Sequence, residues 1–419
     1  MKPLLFLLVL AKSLQADGSA GAETLAKASR LGDLKTLEGL LSSGISADLQ
    51  DRYGRAPIYY AASFNQIRAA ELLLAYHADP NPPVISHPFP SQAPDPPLQS
   101  AAELGNRQLA SILITAGARV NEKGPEGRTA LHCANGQLDV IHLLIDKGAD
   151  MNARDGEGVS PLDEAVWYGS LDTVALLLAH GARLNERETK TSATPINEAA
   201  YKGHVQLVQY LLQFKPDLEI PDKHGYRPLD NAIRMGKEDC ALLLLNAAGK
   251  QAPEFFEKAM DAAIRKDESV LVDSLINHGA NMSGTLPSGA TPLDVAAFGG
   301  SAKVVDVLLK NNADPNISGP NGIRPLEDAA LKGFAGIASM LLDHSAEVNH
   351  VSDGSGATAL YSAASFGKGE VVTLLLKRGA NPNLCGKNEK TPYLAALENG
   401  YSEVAAQIRQ HGGGKSCGR

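Results

Sequence analysis

A unit of about 33 residues returns along nearly the whole chain, and no other feature restricts the possible folds as strongly. Segment 160–185 reads SPLDEAVWYGSLDTVALLLAHGARLN. TPINEAAYKGHVQLVQYLLQ follows from Thr194, TPLDVAAFGGSAKVVDVLLKNNADPN from Thr291, TALYSAASFGKGEVVTLLLKRGANPN from Thr358 and TPYLAALENGYSEVAAQIRQHG from Thr391. A stack of such copies grows along one axis, so 419 residues need no single large core. That overrides the roughly three globular domains suggested by length alone.

Each copy carries the signals of two helices. Thr or Ser before Pro (Ser160-Pro161, Thr194-Pro195, Thr291-Pro292, Thr391-Pro392) is an N-cap followed by Pro at the first helical position, where its missing N–H costs nothing. An Ala-rich first helix follows, small enough for the next copy to approach closely. Gly169, Gly203, Gly236, Gly333 and Gly400 end that helix as left-handed caps. The second helix carries Leu at packing spacing, as in Leu176-Leu177-Leu178, and stops at Gly-Ala: Gly148-Ala149, Gly181-Ala182, Gly279-Ala280, Gly379-Ala380. A polar segment ending in Asn152, Asn185, Asn316 or Asn383 leads to turns such as Asp51-Arg52-Tyr53-Gly54 and Asp222-Lys223-His224-Gly225. The reading is an all-α solenoid of helix-turn-helix units with short β-hairpin or loop fingers.

This pattern resembles the ankyrin repeat, with Thr129-Ala130-Leu131-His132 and Gly148-Ala149-Asp150-Met151-Asn152 matching it within one unit. The resemblance covers about Glu23 to Gly412. Anchors at Pro57, Pro97, Ala130, Pro161, Pro195, Pro228, Pro292, Pro325, Ala359 and Pro392, one unit without an anchor around Phe255–Gly279, and a first unit at Glu23–Gly44 make about twelve repeats. The expected organisation is a leader over 1–22, seven repeats over 23–250, five over 251–412 and a flexible tail over 413–419. The insertion PPVISHPFPSQAPDPP at 82–97 has seven prolines in sixteen residues and favours extended polyproline geometry. The Asp…Gly turn is absent around Gly249–Phe256, which marks a candidate hinge.

Composition narrows the partners. Aromatic residues are only 5%, so Ala and Leu must do most of the packing. A net charge of −8 supplies no field for holding phosphate backbones, so nucleic acid is excluded as a partner class. Lys2 followed by the apolar run Leu4–Ala11 is too short to span a bilayer and fits a secretory signal peptide, cut after Ala16 or Ala22. The other reading is an apolar N-terminal cap of a cytoplasmic protein. Cys133 and Cys240 stand at core positions as expected buried thiols, about three repeats apart and out of reach of one another. Cys385 and Cys417 share the last unit and can meet if the compartment is oxidising.

No metal-binding or cofactor motif is present, and no catalytic constellation. His77, His180, His278 and His344 recur at the ends of second helices, where partial positive charge suits the dipole. Gly412–Ser416, GGGKS, lacks the upstream glycine and following helix of a phosphate loop. Sequons begin at Asn281 and Asn316. Asp163-Glu164 and Glu327-Asp328 read as solvated helix-face charges.

The resemblance implies that a partner protein meets the concave side, built from finger tips and exposed first-helix ends. The finger candidates are Arg52, Tyr53, Arg55, Arg128, His224 and Tyr226. The helix-end candidates are Phe64, Trp167, Tyr168, Tyr201, Lys202, Arg234, Phe298 and Phe366. Large aromatics at exposed positions dominate interface energetics. The expectation is a monomeric, non-enzymatic protein-binding scaffold, secreted or periplasmic, with no membrane insertion once the leader is removed. An effector or inhibitor acting on a foreign host protein, a cytoplasmic adaptor, and an enzyme with an improvised site among strongly perturbed acids are the competing readings.

Overall fold

The computed structural model describes residues 18–83, 95–249, 256–319, 322–353, 356–386 and 389–417. The apolar run Leu4–Ala11, most of the proline-rich insertion and residues 250–255 of the expected hinge Gly249–Phe256 lie outside the described residues. Contacts divide the chain into two units, Met1–Ala199 with Gln213–Gly225, and Ala200–Leu212 with Tyr226–Arg419.

Among the described residues there are 24 helices in twelve pairs and no strand, so the fingers are loops rather than hairpins. The pairs run from Gly18–Leu31 with Leu34–Ser42 to Pro392–Glu398 with Ser402–Gln410. Within each unit, first helices pack against first helices and second helices against second helices. Ala61, Ala62, Ala101 and Ala102 from first helices are fully buried, and Leu73, Leu109 and Leu113 from second helices fill the other layer. Each buried leucine contributes about 2 kcal/mol by removal of apolar surface from water.

The caps explain where the helices begin. Thr291 Oγ1 accepts from the Asp294 N–H at 3.2 Å, while Asp294 Oδ2 accepts from the Thr291 N–H at 3.0 Å and its hydroxyl at 2.8 Å. Ser160 and Asp163 repeat this box. Asp163 and Glu327 are therefore buried cap acids, not the solvated charges expected from their neighbours in sequence. At the other end, Asn65 stands where the repeat has glycine and holds φ at +58°. Asn tolerates that left-handed geometry better than most side chains. His77 also has positive φ, +62°, and so occupies the Gly position of the Gly-Ala stop rather than the helix end. His180, His278 and His344 do sit at helix ends, with Nδ1 within 2.9 Å of the carbonyl oxygens of Leu176, Ser274 and Met340.

The Asn that closes each polar segment ties one repeat to the next. Asn121 accepts from the Asp150 N–H at 2.8 Å and donates to the Gly148 carbonyl at 3.0 Å. Asn81, Asn316, Asn349 and Asn383 bridge in the same two-sided way. The Asn316 amide is thus committed at both ends, to Ser345 and Glu347, and a glycan on this sequon would break the bridge. Asn316→Ala is expected to cost about 1–2 kcal/mol, the worth of two lost hydrogen bonds with their carbonyl and N–H left to water. Urea unfolding measures it; an unchanged midpoint would remove the bridge from the account.

The terminal segment is tethered, not free. Cys385 and Cys417 are joined by a disulfide, with Cα atoms 5.5 Å apart. Gly414 donates its N–H to Asn383 Oδ1 at 2.9 Å, and its carbonyl accepts from the Thr391 hydroxyl at 2.6 Å. GGGKS is thereby the opening of one more polar segment. Cys240 is buried and Cys133 half-buried; burial pushes their thiols up to about 11 and about 12, which keeps both protonated and inert.

Candidate functional site

Fingers are built by an aspartate folded over its own turn. Asp51 Oδ1 accepts from the N–H groups of Tyr53 and Arg55 at 2.9 and 3.0 Å, and the Gly54 N–H donates to the Asp51 carbonyl. Asp155 does the same for Glu157 and Val159 at 2.9 and 2.8 Å. His132, from the Thr-Ala-Leu-His motif, anchors the next finger: Nδ1 faces the Thr129 cap and Nε2 lies 3.1 Å from the Val159 carbonyl. Burial lowers its pKa, so this histidine is a neutral strut.

In the first unit the Asp155 finger, the fingers before and after it and the adjoining first helices line a cleft of about 450 Å³, with Glu126, Arg128, Glu157, Trp167, Tyr168 and Lys190 among its residues. Trp167 is 44% exposed and Tyr168 66%. The cleft's cations are already engaged: Arg128 pairs with Glu164, and Lys190 Nζ lies 2.8 Å from Glu157. Burial raises the pKa of both Asp163 and Glu164, with Arg154 opposing the first and Arg128 the second. What remains for a visitor is an aromatic pair above an acid-rich floor. Arg128, one of the finger candidates, lines the cleft while paired with Glu164.

Elsewhere in the first unit, Arg52 is exposed, 3.3 Å from Glu23, and its guanidinium lies 4.8 Å from the Tyr53 ring. Arg55 reaches the same ring at 5.8 Å. Phe64 is exposed with Arg30 stacked on it at 4.7 Å, and His224 is exposed. In the second unit, Arg234 lies over both Tyr201 and Tyr226, at 5.7 and 4.8 Å. Lys202 and Tyr226 are half-buried. Phe298 is 48% exposed with Lys332 Nζ 3.9 Å from its ring centre, and Phe366 is 54% exposed. The structure thus gathers Trp167 with Tyr168 and Arg128, and Tyr201 with Tyr226 and Arg234, while Phe64 and Phe366 stand apart. Sequence reasoning missed Arg30, Glu157 and Lys190, because their roles depend on cross-repeat neighbours. Arg30 reaches Phe64, and Lys332 reaches Phe298, from a neighbouring repeat, a relation that spacing within one repeat does not show.

No group of three or more side chains able to hold a metal ion occurs among the described residues, and no described helix is long and apolar enough to cross a membrane.

Family models place the repeats throughout. Ankyrin repeats (3 copies) match residues 98–188, 162–254, 259–352 and 326–416, and Ankyrin repeats (many copies) match 25–74. Similar proteins include Tyrosine-protein kinase HTK16 of Hydra vulgaris, 33% identical over 27% of this chain and 16% of that protein. Ankyrin repeat and SOCS box protein 16 of Homo sapiens is 28% identical over 48% of this chain and 47% of its own length. Cyclin-dependent kinase 4 inhibitor B of Rattus norvegicus is 32% identical over 30% of this chain and 96% of that protein. The chain spans less than half the length of the first two. With repeat models covering most of its residues and a cap, glycine and finger pattern to match, the chain belongs to the ankyrin repeat family.

Proposed function

We propose that this chain is a non-enzymatic scaffold that binds a partner protein through the fingers and first-helix ends. One observation carries the reading: large aromatic side chains recur, exposed, at two adjacent positions that close the first helix, Trp167 and Phe298 at one and Phe64, Tyr168 and Phe366 at the next. Desolvating such rings on a partner contributes about 2 kcal/mol or more apiece at an interface centre. The rat relative is named as an inhibitor of a cyclin-dependent kinase, which supports an inhibitor of another protein as the second reading.

Captured by cross-linking and then purified, the partner is expected to bind W167A/Y201A at least tenfold more weakly than the unmutated chain, with helicity unchanged. Equal Kd values for the two forms would refute this placement.

Export to an oxidising compartment is part of the proposal. Lys2 followed by the apolar run Leu4–Ala11 fits a secretory signal and supports it, as does the Cys385–Cys417 bond, since such bonds persist outside the cytosol. Gly18–Leu31 is helical and Ala22 is buried in it, so a cut after Ala16 leaves the first pair whole, whereas a cut after Ala22 removes its first turn. An intact mass starting at Asp17 supports the first site; retained Met1 sinks export.

A further inference from the structure

The second unit holds a cavity of about 610 Å³ between the helices Glu257–Arg265, Pro292–Gly299 and Pro325–Lys332 and the fingers that precede the last two. We propose that it is a socket for one cationic side chain, arginine or lysine, presented by the partner polypeptide, which deepens and rests on the protein-binding reading above.

Its walls are Ile264, Val295 and Ile323, its rim is Phe298, and its acids are Asp294 and Asp328. Asp294 is 3% exposed and spends Oδ2 on the Thr291 cap, while its buried Oδ1 accepts no hydrogen bond within the protein. A buried carboxylate oxygen without a donor costs free energy, and because Asp294 Oδ1 is out of solvent's reach a cation held in the cavity offsets its charge through space rather than by a hydrogen bond.

The cations nearby are placed elsewhere. Arg265, on the cavity wall, holds Asp261 at 2.9 Å. Lys332 lies over the Phe298 ring at 3.9 Å. Asp328 is lifted to about 7 by burial first, then by the charges of Asp294 and Glu327, with Lys332 opposing; burial lifts Asp294 to about 6. Near neutral pH the cavity thus concentrates negative charge that a guest cation neutralises.

The apolar walls decide what kind of cation fits. Two carboxylates fall short of the six or more oxygens that calcium takes, and no third acid completes a site among the described residues. A methylene stem lying along Ile264, Val295 and Ile323, with its charged head at the two aspartates and its flank on Phe298, uses every wall of the cavity.

The test uses the full chain labelled at isoleucine methyls and titrated, under NMR observation, with capped Ala-Ala-Arg-Ala-Ala. The same peptide with citrulline, which keeps the shape and loses the charge, is the control. The Ile264 and Ile323 methyls are expected to shift saturably with the arginine peptide only, and D328N to weaken that titration at least fivefold. Asp328 stands outside the Arg324–Glu327 cap, and in D328N an unmoved methyl of Ile337, buried on the helix Ala335–Asp343 of the same repeat, reports an intact local fold. Equal response to citrulline, or silence at both methyls, overturns the socket. So does response to spermidine without response to the peptide, which assigns the cavity to a free polyamine. Because the titration needs no partner, the two readings fail separately. Silent methyls beside an intact W167A/Y201A effect sink the socket alone; peptide binding without any protein partner sinks the scaffold alone.

Discussion

Asp328→Asn is expected to stabilise the second unit at pH 7.5 by about 2 kcal/mol and to flatten its pH dependence. An ordinary aspartate ionises near 3.8, Asp328 near 7 and Asp294 near 6. Both acids hold their protons longer in the folded chain than in the unfolded one. Between about pH 4 and pH 7 the folded state therefore binds more protons, and stability falls as pH rises through that window. Each decade is worth about 1.4 kcal/mol, and the partial solvent access of Asp328 brings its three decades down to about 2 kcal/mol. Asp95, Asp163, Glu164, Glu268 and Glu327 are raised by burial and act in the same direction. Asp33, which is exposed, and Glu186, which is half-buried, are lowered mainly by side-chain hydrogen bonds and oppose them. Urea midpoints at pH 5.0 and 7.5 decide: an unmutated chain no less stable at pH 7.5 defeats the prediction. A chain that keeps two awkward acids at neutral pH trades stability for something, and the cationic guest proposed above is what would recover it.

Loss of the terminal bond is expected to have the largest local effect. Cys385 and Cys417 lie 32 residues apart, and closing such a loop is worth about 3–4 kcal/mol on the chain-entropy account. In a stack where each repeat leans only on its neighbours, Cys417→Ser concentrates that loss in Pro392–Glu398 and Ser402–Gln410. Amide hydrogen exchange in these two helices should quicken by about two orders of magnitude or more, while exchange around Leu109 stays as it was. Thiol titration of the denatured, unreduced protein should find Cys133 and Cys240 alone. Four free thiols in the native preparation would end this line.

The repeat was legible in the sequence because its signals are local. A Thr-Pro start, an Ala-rich run, a left-handed glycine and a Leu stripe each act within one turn, and the structure has a helix for every such signal. Where a position acts across repeats, reading along the chain failed. Asp163 and Glu164 are neighbours in sequence, yet one closes the Ser160 cap and the other binds Arg128 from the preceding finger. Asp294 and Asp328 line one cavity from helices a repeat apart, and nothing in the spacing of either segment announces it. The Gly-rich end misled for a related reason. Its composition is that of a loose tail, while Asn383 and Cys385, some 30 residues earlier, pin it down. Exposure of the aromatics was readable from their place before the cap glycine; the cations stacked on them were not.

The self-closed fingers bear on how fast a partner could be met. Asp51 and Asp155 hold their turns shut with main-chain hydrogen bonds before any ligand arrives. Ordering entropy is then spent during folding, and little is left to lose on contact. Association should accordingly be governed by collision and by the attraction of a basic partner to a chain of charge −8, so that added salt slows the on-rate far more than it alters dissociation.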